Sequence, residues 1–296
     1  LEFMHTKNLT PKQLKAFTRK SSSKLSHAGR LTLINSVFAS IPIYYMSNIL
    51  FPKKFLAKLT AIIRNFWWTG VREEANAKSL CLRAWKDICT TKNEGGLGIR
   101  NLQAINEGLI LASAWRLADA PNSYLYLVLK SKYFPNSSIW TATSTVPKSA
   151  YWSSILKMLP KLKAHSFYQI TQGNIALWSS PWCSSWSTIH NHLIIQPPGF
   201  IYPAQVKDLW IPGQKTWNNN LIHSLFQEPM ATSITQTSII QDDCPDILCW
   251  DLALSGKCTS KSTYKLCLQD IQSIPRNTPS QLSLQVKNLL TQVWKQ

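Results

Sequence analysis

An adjacent pair of carboxylates, Asp242-Asp243 within Ile240-Gln241-Asp242-Asp243, is the combination in this sequence best suited to demanding chemistry. Paired carboxylates can hold two metal ions against a reacting phosphate. The pair lacks the aromatic residue of a Tyr-x-Asp-Asp pattern, so it reads as a solvated acidic loop. Zinc is the next chemistry to consider, from Cys244, Cys249, Cys258 and Cys267 or from His190-Asn191-His192 near Cys183. None of these has the close paired spacing of a structural zinc site. The glycines of Gly95-Gly96-Leu97-Gly98 permit a tight turn or a close backbone approach. They match neither a phosphate loop nor a dinucleotide fingerprint. The six His are scattered, and neither a metal-binding His-Glu helix motif nor a nucleophile elbow occurs. No catalytic residue, metal ligand or cofactor is therefore expected.

What remains is charge. The 296 residues hold 32 Lys and Arg against 14 Asp and Glu, a net charge of +18, together with 45% hydrophobic content and 13 Trp. Such a chain buries a core and is no disordered basic tail. The charge is uneven: 17 basic and 5 acidic residues lie in 1–100, 7 and 2 in 101–168, and 8 and 7 in 169–296. The first 60 residues carry 10 Lys or Arg against Glu2 alone, a density that attracts phosphates and makes binding salt-dependent. A basic surface that only keeps a Trp-rich protein in solution is the competing reading. The Trp residues could stack on bases, but most stand at helical or strand spacing with other apolar residues and are expected in the core.

The elements that must position this charge are mainly helices. Thr10-Pro11 starts a short basic helix, and Ser26 caps a second with Leu31, Ile34, Val37, Phe38 and Ile41 at helical spacing until Pro42. Pro52 opens a third, with Phe55, Leu56, Leu59, Ile62, Ile63, Phe66 and Trp67 as its apolar stripe and Gly70 as its stop. At 100° per residue Lys53, Lys54, Lys58 and Arg64 fall within about 140° on the other side. A charged loop, Arg72 to Lys78, follows, and Leu102 to Leu117 reads as a helix buried on most sides. Alternation on both sides of Gly173-Asn174 suggests a small β-hairpin over 167–178, and Pro279 to Gln296 is again amphipathic. The 22 uncharged residues between Arg30 and Lys53 contain Thr32, Asn35, Ser36, Ser40, Ser47 and Asn48 around Pro42, which argues for a buried helix rather than a membrane span. Seven Cys without a paired framework read as reduced thiols, so an intracellular protein, nuclear or cytoplasmic, is expected.

These segments also carry a resemblance. Leu25-Ser26-His27-Ala28-Gly29-Arg30-Leu31, Ile41-Pro42-Ile43-Tyr44, Phe51-Pro52, Phe66-Trp67-Trp68-Thr69-Gly70, Trp85-Lys86-Asp87-Ile88-Cys89 and Gly95-Gly96-Leu97-Gly98-Ile99-Arg100-Asn101-Leu102 follow one another in that order. Asn106, Trp115-Arg116, Lys132-Tyr133-Phe134, Pro181-Trp182, Val206-Lys207-Asp208-Leu209 and Ser260-Lys261-Ser262-Thr263-Tyr264 come after them. The series resembles the segment after the polymerase palm in plant LINE-type (non-LTR) retrotransposon reverse transcriptases, over about residues 24–296. Departures from the family pattern are Thr91-Lys92, Gln172-Gly173-Asn174 and Ser180-Pro181-Trp182. The resemblance implies that fingers, palm and polymerase carboxylates belong upstream of residue 1. It also implies that Val293-Trp294-Lys295 opens a reverse-transcriptase zinc-binding region whose ligands lie beyond Gln296.

The expected fold is mostly α: a basic, thumb-like helical bundle over 1–118, a looser, aromatic-rich, α-rich connection unit with a small β-hairpin over 119–268, and an amphipathic segment over 269–296 that starts the zinc-binding region. The expected function is non-catalytic binding of an RNA/DNA template–primer duplex through phosphate contacts. Lys24, Arg30, Lys53, Lys54, Lys58 and Arg64 are the candidate contacts. The rest of the reverse-transcriptase polyprotein is the expected protein partner, and no membrane is expected. The alternative is a structural or protein-interaction remnant of a degenerate retroelement.

Overall fold

A computed structural model describes residues 25–38, 40, 42–69, 83–143 and 147–273. The expected helix after Thr10-Pro11, the Arg72–Lys78 loop, the Gly70 stop, Lys24 and the segment beyond 273 lie outside the described residues. The fold is mostly helical, with one two-stranded antiparallel sheet among the described residues. The chain divides into two compact units, Leu1–Ile110 with Thr263–Gln296, and Leu111–Ser262.

In the first unit, α1 (His27–Leu33) starts where Ser26 Oγ accepts the Gly29 N–H at 3.2 Å, the cap its sequence position called for. The helix then widens into a π-turn at Ile34–Phe38 instead of running regularly toward Pro42. A row of hydroxyls accounts for this: Thr32, Ser36 and Ser40 donate to the carbonyls of Ala28, Thr32 and Ser36. Such back-bonding competes with the helical ladder and bends it. After the short α2 (Ile43–Met46) comes α3 (Lys53–Thr69), followed by α4 (Trp85–Ile88) and the start of α5 (Leu102–Asp119). Ile34, Phe38, Met46, Leu56, Ile63, Phe66, Trp67, Ile88 and Ile105 form the core.

Two polar devices lock this core. Asn106, 1% exposed, accepts the Phe51 N–H at 2.8 Å and donates to the carbonyls of Met46 and Ile49 at 2.8 and 2.7 Å. One buried amide thus satisfies three backbone groups in the segment that leads into α3. The Gly95-Gly98 loop folds back on Thr90, with the Gly98 N–H on the Thr90 carbonyl at 2.9 Å. A Cβ at Gly96 would lie 2.3 Å from that carbonyl oxygen, so the close backbone approach admits only glycine there.

The second unit is built from α6 (Tyr124–Tyr133), α7 (Ala150–Ala164), strands β1 (Ser166–Gln169) and β2 (Ile247–Trp250), and the short helices α8 (Asn219–Leu225) and α9 (Met230–Thr235). Ser123 and Ser149 cap α6 and α7 through their side chains. Trp152 is fully buried and stacks on both Tyr133 and Phe134, each at 5.2 Å. The last described helix, α10 (Ser260–Ser273), opens with Thr259 and Ser262 exchanging side-chain and backbone hydrogen bonds. Its Tyr264 hydroxyl accepts the Asn101 N–H at 3.2 Å within the first unit.

The sheet corrects one expectation. β1 starts one residue before the expected hairpin, but it pairs with β2, Phe167 opposite Cys249, and not with residues 175–178. The turn is occupied otherwise: the Asp246 carboxylate accepts the backbone N–H groups of Thr171, Gln172, Gly173 and Asn174 at 2.8–3.0 Å. Four donors converging on one carboxylate form an anion nest, which takes the N–H groups a hairpin ladder would need.

Candidate nucleic-acid interface

The candidate surface is the outer side of α3. Pro52 lies just before its first turn, and the Pro52 carbonyl accepts the Phe55 and Leu56 N–H groups at 2.9 and 3.2 Å. Leu56, Leu59, Ile63, Phe66 and Trp67 are buried along one side. Phe66 meets Phe38 edge-on at 5.2 Å and Trp67 meets His27 at 5.4 Å, which fixes the rotation of the helix about its axis. With that side inward, Lys53, Lys54, Lys58 and Arg64 are all exposed. Ala57 and Asn65 share their strip, and α3 contains no carboxylate. From Lys53 to Arg64 the strip runs roughly 16 Å at 1.5 Å per residue.

Lysines at positions 53 and 54 occupy the helix start, where an acidic residue would be favoured, and the first turn has none. Cations there oppose the helix dipole and cost a few tenths of a kcal/mol each, about 0.3–1 kcal/mol at most. The same placement adds the positive end of the dipole to the lysine charges. Among the described residues no ion pair is formed by these four cations; the pairs present are His165–Asp251, Lys215–Asp243 and His223–Glu228.

Arg30 is placed differently from the other candidates. Its guanidinium is half-buried and donates from Nη1 to the Trp67 carbonyl at 3.2 Å, near the end of α3. A cation at the negative end of a helix is favourable, so Arg30 ties α1 to α3 instead of facing outward with the lysines. Lys24 lies outside the described residues. Lys86, Lys92 and Arg100 of the first unit are exposed as well and stand on no helix long enough to show a face, and Lys265 of the same unit is exposed on α10.

Of the other residues considered for chemistry, Asp243 and the buried thiols are engaged in the fold, whereas Asp242 and Cys244 are exposed. Lys215 Nζ binds Asp243 at 2.8 Å and the Asp242 carbonyl at 2.8 Å, and this contact holds the Asp243 carboxyl below its usual range. Among the described residues no three His, Cys, Asp or Glu side chains stand close enough to share a metal ion. Burial pushes the Cys89, Cys183 and Cys258 thiols up to about 12, so they stay protonated in the neutral range. Of the Trp weighed as stacking platforms, Trp67, Trp115, Trp140, Trp152, Trp182 and Trp186 are buried, and Trp68, Trp85 and Trp178 are half-buried. No described helix is long and apolar enough to cross a membrane.

Comparison with known proteins agrees with a retroelement origin. No family model matches the chain. A protein of Arabidopsis thaliana named "Putative ribonuclease H protein" is 31% identical over 263 residues, which cover 85% of this chain and 40% of that protein. An uncharacterized mitochondrial protein of Arabidopsis thaliana is 32% identical over 118 residues, 40% of this chain and 75% of that protein. The chain belongs to the family of this second relative, and the two relatives together mark it as a plant retrotransposon-related protein. It spans about 40% of the length of the ribonuclease H-named relative.

Proposed function

We propose that this chain is the thumb and connection region of a retrotransposon reverse transcriptase and that it holds the RNA/DNA template–primer duplex by its phosphate backbone. The observation that carries this reading is the exposed strip of Lys53, Lys54, Lys58 and Arg64 on a helix without a carboxylate. Lysine and arginine on a helix surface position a duplex without reading its sequence. Catalysis then belongs to polymerase carboxylates elsewhere in the polyprotein, which is the natural protein partner, and residues from Val293 onward lead into the zinc-binding region. A salt titration of binding to a primer–template duplex tests this. Affinity is expected to fall steeply with salt, in proportion to the number of phosphates neutralised.

A second reading, a protein-interaction remnant of a degenerate element, draws on the apolar run of α6, where Tyr124 is 90% and Val128 61% exposed beside half-exposed Leu125 and Leu127. Failure to bind duplex at low salt would select it.

A further inference from the structure

The second unit contains a groove of about 1380 Å³ between the end of α7, the sheet and the α9 region, unrelated to the α3 strip. It exceeds the roughly 300–1,000 Å³ of a site for one drug-sized ligand. Phe167, at mid-strand in β1, is 45% exposed in its lining, whereas the neighbouring Trp182, Trp186 and Trp250 are buried. Lys163, in the last turn of α7, is half-buried in the same lining and lies over the Trp186 ring, 6.0 Å from its centroid. Among the described residues Lys163 has no anionic partner, and burial lowers its pKa. The groove's carboxylate, Asp251, is engaged by His165 Nδ1 at 3.1 Å. Much of the remaining wall is hydroxyl and amide, including Ser184, Ser233 and Gln236.

A flat apolar ring open to solvent, an unpaired cation held beside it and a wall of neutral hydrogen-bonding groups fit a ligand that offers a π-face, a single negative charge nearby and many polar edges. A single nucleic-acid strand has this chemistry at every residue, and aromatic stacking accepts any base. A regular duplex does not, since its bases are already stacked. We propose that this groove seats a single-stranded nucleic-acid segment, with one base stacked on Phe167 and an adjacent phosphate held by Lys163. The site is separate from the duplex surface and stands or falls without it.

The test is fluorescence anisotropy on the full chain with two probes, a labelled oligothymidylate and a labelled blunt duplex. Phe167→Ala is expected to weaken oligothymidylate binding roughly five- to a hundredfold and to leave duplex binding within about twofold. Phe167→Trp should restore the stack, which a merely structural role for the ring would not. Lys163→Ala should flatten the single-strand salt slope by about 0.7. Lys54→Ala with Lys58→Ala should weaken duplex binding alone, so loss of the duplex surface and loss of the groove give different patterns. Circular dichroism melts of each variant confirm folding. The groove assignment is overturned if the chain does not bind oligothymidylate, if Phe167→Ala leaves that binding unchanged, or if the variant weakens both probes equally.

Discussion

Asn106 has the position of a functional polar residue and the surroundings of a structural one. Its three hydrogen bonds, all to backbone, make it the clasp of the segment before α3. Asn106→Ala is expected to destabilise the protein by about 2–4 kcal/mol in urea titration, since two carbonyls and one N–H would be left buried without it. Asn106→Asp should cost more, because a carboxylate oxygen would face a carbonyl at the amide nitrogen's position. The thiols give a second residue-scale expectation. Cys89 and Cys183, buried and held protonated, should resist alkylation in the native protein at mildly alkaline pH, while exposed Cys244 reacts. Peptide mass spectrometry before and after urea reads this directly; native labelling of Cys89 or Cys183 at the rate of Cys244 would contradict it. The resemblance marked Asn106 as a motif position and the amino-terminal charge marked Arg30 as a candidate phosphate contact; the hydrogen bonds these side chains make to distant carbonyls at Met46, Ile49 and Trp67 are encoded by no periodicity.

Helices were legible in the sequence where a stripe and a cap coincide. The Ser26 cap, the apolar side of α3 and the nearly all-round burial of α5 follow from residue order, because each depends on neighbours three or four positions away. The sheet was legible only in half. Alternation marked a hairpin over 167–178, yet the strand found at its start, β1, has its partner some eighty residues on, and the turn after it serves Asp246. Asp246→Asn is expected to destabilise by about 2 kcal/mol, as charge-assisted bonds to backbone N–H groups are lost. Asp242→Asn, at an exposed position, should stay within about 0.5 kcal/mol. Matched denaturant titrations separate the two; equal effects would show that the nest contributes nothing. Basic strips, unlike strand partners, are read from the same periodicity as the core, so four of the six candidate contacts could be placed on α3 from sequence.

At the scale of the whole molecule, the chain that leaves the first unit after Ile110 rejoins it from Thr263. Composition cannot show such a return, because Thr263 and Tyr264 look like any other helix start until Tyr264 meets Asn101. Of the paired acidic residues, Asp243 is bound through its carboxylate by Lys215, which reaches Asp242 only at its backbone carbonyl. Purified protein with Mg²⁺, primer–template and deoxynucleotides is expected to extend no primer. Extension that disappears in Asp242→Ala would show the acidic pair to be catalytic.

The most direct measurement concerns Lys54 and Lys58 together, whose side chains lie outside the apolar stripe of α3. Duplex binding by the parent and by the Lys54→Ala, Lys58→Ala variant is followed across a salt series, with helix content checked by circular dichroism. The variant should keep its helix content, bind every duplex sequence more weakly by the same factor, and lose about one to two phosphate equivalents from the salt slope. Unchanged affinity with an unchanged slope would contradict duplex binding by this face and leave α3 as a solvated surface.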